Sequence, residues 1–142
     1  MITTNLPNVR KELDAYKVKL VADVKATRDE MIVTAMDIIK PKISSKRAYT
    51  GRGANKKYLK TEAGAPPHKR TGNLFRSIKG KKWSKGTAVY GASVGPNRVF
   101  YAHILEHGAK NGSWRHAFME PSYKEFAPIA ESIIAKNLGR TV

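Results

Sequence analysis

Apolar residues recur at steps of three and four through the first part of the chain. Val9, Leu13, Tyr16, Leu20, Val24, Met31, Ala35 and Ile38 fall mostly on one stripe of a helix. The spacing predicts a long amphipathic helix from Asn8 to about Ile39, capped by Asn8 after Pro7. Pro41 should stop it, because proline restricts the residue before it and has no amide hydrogen to donate. About thirty residues at 1.5 Å each give roughly 45 Å, more than a compact domain of this size covers. Two readings of the surplus stay open: packing on another subunit, or the exposed end of a helix lying across its own sheet.

The periodicity stops over residues 42–69. Lys46, Arg47, Arg52, Lys56, Lys57, Lys60 and Lys69 stand among Gly51, Gly53, Gly64, Pro66 and Pro67, with only Tyr49, Tyr58 and Leu59 as larger apolar groups. This composition predicts a basic arm or loop, too poor in apolar surface to become ordered without a partner. Pro66-Pro67 favours an extended approach into Arg70.

Short elements follow. Thr71 is placed to cap a helix from Gly72 to about Ser77, with Leu74, Phe75 and Ile78 on its buried side. Ile78 to Trp83 and Thr87 to Gly95 read as two strands around a Ser84-Lys85-Gly86 linker, with Ala88, Tyr90, Ala92 and Val94 alternating. Pro96-Asn97 breaks the second strand. Phe100 to His107 reads as one or two helical turns closed by Gly108. After Pro121, Phe126, Ala130, Ile133, Ile134 and Leu138 return to helical spacing, with Gly139 past the end and Pro128 opening or kinking the helix. The expected class is α+β: a long N-terminal helix, a basic arm, a short helix, a small antiparallel β-sheet and a C-terminal helix. A single domain over 1–142 divides into the helix (1–40), the arm (41–69) and the α+β core (70–142).

Charge sharpens this picture. The chain of 142 residues carries a formal net charge of +16. Residues 1–39 balance six Lys/Arg against six Asp/Glu, residues 40–85 hold fifteen against Glu62 alone, and residues 86–142 hold six against four. Nearly all the excess sits in one third of the chain, which points to a local polyanionic partner. There is no cysteine, so disulfides and thiolate metal sites are excluded, as suits a cytosolic origin. No apolar run approaches the roughly 20 residues that span a bilayer, and Met1 to Arg10 lacks the pattern of a secretory signal.

Candidate chemistry is sparse. His103-Ile104-Leu105-Glu106-His107 fits the H-x-x-E-H pattern of inverted zinc proteases, with the two histidines one helical turn apart. The helix stops at Gly108, however, and a third ligand would have to come from Glu120, Glu125 or Glu131. The preferred reading has Tyr101, Ile104 and Leu105 in the core and Glu106 meeting an arginine, Arg70 or Arg76. Gly51-Arg52-Gly53 lacks the G-x-x-x-x-G-K-[ST] spacing of a phosphate loop. Trp83 and Trp114 read as core or interface anchors. No residue pattern calls for a catalytic group, a metal or a cofactor. The arm has three readings: a nucleic-acid contact through its basic residues with Tyr49 and Tyr58, a clasp on an acidic neighbouring protein, or a solvated loop.

Three segments come in a fixed order: Arg70-Thr71-Gly72-Asn73-Leu74, then Tyr101-Ala102 leading to Glu106-His107-Gly108, then Ala117-Phe118-Met119-Glu120-Pro121. Together, over about Pro66 to Leu138, they resemble the neck and tail-completion proteins of long-tailed bacteriophages. The resemblance implies a non-enzymatic subunit of a six-fold ring at the head–tail junction, made in the host cytoplasm and carried in the virion. Its partners would be further copies of itself, a head-closure or connector protein, and a tail terminator or tail tube protein. Genomic DNA would pass through the opening. The alternative is a stand-alone basic nucleic-acid-binding protein that uses the same arm.

Overall fold

The computed structural model describes residues 5–47, 49–58, 65, 67–69, 72–108 and 115–139, and its class is α+β. Helix α1 runs from Leu6 to Lys42, longer at both ends than the periodicity suggested. Asn5, not Asn8, supplies the first turn: its carbonyl accepts the amides of Asn8 at 3.0 Å and Val9 at 3.1 Å. Pro7 fits inside because amides of the first turn have no partner within the helix. Pro41 does not stop the helix either. It lies in the last turn, between Lys40 and Lys42, whose charges suit the negative end of the helix dipole.

The arm is more regular than its composition predicts. Strand β1 (Ser44–Arg47) pairs in parallel with β4 (His68–Lys69), and β2 (Tyr49–Thr50) pairs antiparallel with β3 (Lys57–Tyr58) around a 3-10 turn at Gly53–Asn55. Backbone hydrogen bonds organise these described parts. Lys60, Pro66, Arg70 and Thr71 lie outside the described residues.

Helix α2 (Asn73–Ser77) leads directly into a hairpin of β5 (Ile78–Lys85) and β6 (Val89–Pro96), paired from Ile78↔Pro96 to Lys85↔Val89. The turn falls on Gly86 to Ala88, later than expected, because Gly86 at φ 62° lets Ser84 and Lys85 continue the ladder. One face of the hairpin lies on α1. Gly80 permits that approach: a Cβ there would stand 2.3 Å from Ile32 Cγ2. From Asp29 on α1, the carboxylate holds Lys82 at 2.8 Å, and Lys25 stands 5.3 Å from the Tyr90 ring centroid.

Helix α3 (Tyr101–His107) and helix α4 (Met119–Leu138) complete the chain. Pro128 lies within α4 and neither opens nor ends it. Ion pair Lys42–Glu125 at 2.6 Å and hydrogen bond Asn137–Glu30 at 2.6 Å run in opposite sequence directions, so α4 packs antiparallel on the C-terminal half of α1. Ile39, Ile43, Leu74, Ile78, Ala102 and Phe118 form the central apolar cluster, with Phe118 fully buried. Tyr101 and Leu105 pack on it, whereas Ile104 is exposed because it lies round the helix from Ala102 and Leu105. No helix among the described residues is long and apolar enough to cross a membrane.

Candidate assembly face and basic surfaces

Two of the three ordered segments meet at one carboxylate. Glu106, in the last turn of α3, accepts the amides of Phe118 at 2.9 Å, Met119 at 2.9 Å and Glu120 at 2.7 Å. The next residue is Pro121, which has no amide hydrogen, so the start of α4 has no further donor to satisfy in that turn. A carboxylate here also faces the positive end of the α4 dipole. Of the two arginines expected to meet Glu106, Arg76 donates to Asn73 Oδ1 at 2.9 Å, and Arg70 lies outside the described residues.

The backbone around the junction is tied as well. Gly108 donates its amide to the Ile104 carbonyl at 2.7 Å, closing α3, and His116 donates its amide to the Leu105 carbonyl at 2.7 Å. Arg115 reaches the Glu106 carbonyl at 3.2 Å and the Glu120 carboxylate at 2.6 Å. Lys124 above all, by hydrogen bond and by charge, and then Arg115, hold the Glu120 carboxyl below its ordinary range. Phe118 thereby seats in the core at the point where α4 begins.

The first segment has a separate role. Gly72, at φ 78°, precedes α2, which starts at Asn73 rather than at Gly72, and its carbonyl accepts the Arg76 amide at 2.9 Å. A side chain at that φ is strained, so glycine suits the position. Leu74 is buried beneath it. The described residues of this segment thus form the start of α2 and its buried side.

The N-terminal half of α1 is different in kind. Every residue from Asn5 to Lys19 is exposed. Leu6 is 67% exposed, Val9 49%, Leu13 62% and Tyr16 46%, on one face of the helix. From Leu6 to Lys19 about 20 Å of helix is therefore exposed. That apolar face continues into a groove of about 470 Å³ where α1, β6 and α4 meet, lined by Val24, Met31, Ala92, Phe126, Ile134 and Leu138 among others.

Of the predicted basic contacts, Arg52, Lys56 and Lys57 are exposed around the β2–β3 turn, and Lys46 and Arg47 fall on β1. A second basic surface, on β5, escaped the sequence reading. Lys79, Lys81 and Lys85 share the hairpin face turned away from α1 with Trp83, which is 48% exposed and therefore no core anchor. Their period-two spacing was the available signal. His103 and His107 lie with ring centroids 4.5 Å apart, but among the described residues no three potential ligands gather to hold a metal.

No family model matches this chain, and no curated protein or solved structure matches it.

Proposed function

We propose that this chain is a structural subunit of a tailed bacteriophage, one of the copies that form a six-fold ring at the head–tail junction. The ring joins the head-closure or connector protein to the tail and surrounds the DNA passage. The observation that carries this reading is the exposed apolar stripe of Leu6, Val9 and Leu13 on the N-terminal half of α1. Such a stripe is stable in water once another surface covers it. Its own groove is out of reach, because stripe and groove wall belong to one uninterrupted helix. A neighbouring copy has the same groove, and a stripe-to-groove contact passed from copy to copy is heterologous, the type that closes into rings. The ordered segments support the reading, since Glu106, Gly108, Phe118 and Pro121 together set the angle between α3 and α4.

Removing the chain from a phage that encodes it should leave DNA-filled heads and finished tails unjoined. Normally joined particles, or a failure to make heads at all, would contradict the proposal.

The charge distribution favours a second reading, a stand-alone nucleic-acid-binding protein. Between Asp37 and Glu106 the only carboxylate is Glu62. Tight, salt-sensitive binding to DNA by a monomer, without any particle phenotype, would select it.

A further inference from the structure

We propose that the outer face of the β5–β6 hairpin binds single-stranded nucleic acid, with Lys79, Lys81 and Lys85 on the phosphates and Trp83 stacked on an unpaired base. The register decides which residues share that face. Ile78 is buried, Gly80 lies against Ile32, and Lys82 is paired with Asp29, so the even positions of β5 face α1. The odd positions, Lys79, Lys81, Trp83 and Lys85, therefore project from the opposite side. Their cross-strand partners are Gly95, Ser93, Gly91 and Val89. Gly95, Ser93 and Gly91 thus leave a shallow floor, with Val89 at its end, beside a row of ammonium groups whose Cα positions repeat at about 7 Å.

Trp83 crosses that floor. A Cβ on Gly91 would lie 2.1 Å from Trp83 Cζ2 and 2.4 Å from Cε2, so the indole rests flat over the Gly91 backbone. One ring face is packed down and the residue keeps 48% of its surface exposed. A flat aromatic platform set among cations at regular intervals suits a strand whose bases offer π-faces and whose backbone offers charge. It suits a membrane less well, because Trp83 is the only large apolar side chain among the four outward positions of β5.

Charge complementarity identifies the partner as a polyanion. No aspartate or glutamate occurs from Ala63 to Leu105, and among the described residues Lys79, Lys81 and Lys85 have no carboxylate partner. Asp29, on α1, is engaged by Lys82 on the other face. The inference goes beyond the ring reading and does not depend on it, since a single copy carries the whole surface.

The test is a titration of the full chain with a thymidine oligonucleotide of about 20 residues, in a Trp114→Phe background so that Trp83 alone reports. Saturable quenching of Trp83 is expected, with log affinity falling at a slope of about −2 against log salt for three phosphates. Lys79→Gln, Lys81→Gln and Lys85→Gln together should weaken binding of a labelled oligonucleotide at least tenfold and flatten the salt slope. Arg52→Gln, Lys56→Gln and Lys57→Gln, in the arm, should leave most of the affinity. A duplex of equal length should bind without quenching. Equal affinity of the hairpin variant and the parent, binding without any change in Trp83 emission, or equal competition by polyglutamate would each overturn the proposal. Loss of the particle phenotype alone would bear on the ring and not on this surface.

Discussion

The Glu106 carboxylate accepts the Phe118 amide at 2.9 Å, and this contact fixes where the last helix begins. Glu106 is anchored in α3, whose Ala102 belongs to the same buried cluster as Phe118. The hydrogen bond and the apolar packing therefore specify one arrangement. Two of the three ordered segments thus meet in one structural contact.

Replacing Glu106 with alanine leaves the amides of Phe118, Met119 and Glu120 without their acceptor. The expected cost is about 2–3 kcal/mol, from the loss of charge-assisted bonds and a helix cap. Glu106→Asp should recover little, because the shorter side chain withdraws from all three donors. Urea unfolding of the two variants measures both. A Glu106→Ala protein as stable as the parent would show that the cap is incidental.

Gly80 is a packing requirement. An alanine Cβ would meet Ile32 Cγ2 at 2.3 Å, and Ile32 is itself only 8% exposed. Gly80→Ala should destabilise the protein by about 1–3 kcal/mol through overpacking. In an Ile32→Ala background, which lacks Cγ2, the same substitution should cost less, and thermal melts of the single and double variants read the difference.

The hairpin is also held to α1 by charge. The hydrogen bond from Lys82 holds the Asp29 carboxyl below its ordinary range. A carboxyl whose folded value lies below its unfolded value contributes stability that is full above the unfolded value and lost as pH falls through the folded one. From this pair, stability should be flat between pH 7 and about 5 and decline below about pH 4. Asp29→Asn should remove that part of the acid slope while leaving neutral pH little changed, as befits an exposed pair. Identical acid slopes in variant and parent would contradict the assignment.

Substitution of Val9 and Leu13 by serine separates folding from assembly. Both side chains are exposed, 49% and 62%, so the thermal midpoint of the isolated subunit should stay within the effect of about 0.5 kcal/mol typical of surface changes. Sedimentation at increasing concentration should then show reduced self-association relative to the parent. Unchanged association would place the contact elsewhere.

Particular residues show what the sequence made legible. The stripe of Leu13, Tyr16 and Leu20 announced α1 because side chains three and four apart share a helix face whatever they meet. Its ends were misplaced, since Asn5 and Asn8 are equally good caps by type and a proline in a last turn removes only one donor. Glu106 stands out in the sequence, but its amide donors do not: they are 12 to 14 residues away, and only the approach of α4 to α3 brings them together. The β1–β4 and β2–β3 ladders have register pairs at only two positions each, too short for an alternating pattern to emerge. The lysines of β5 were counted as charge, while their shared face depended on knowing that Gly80 turns inward.

The proposed place of this chain is the head–tail junction of a particle. Cryo-electron microscopy of purified virions from a phage encoding it, with an antibody-bound gold label on the chain, tests that most directly. Label and a symmetric ring of copies are expected at the junction of head and tail, with α1 bridging neighbouring subunits. Label absent from the particle, or confined to the capsid shell or the distal tail, would contradict it.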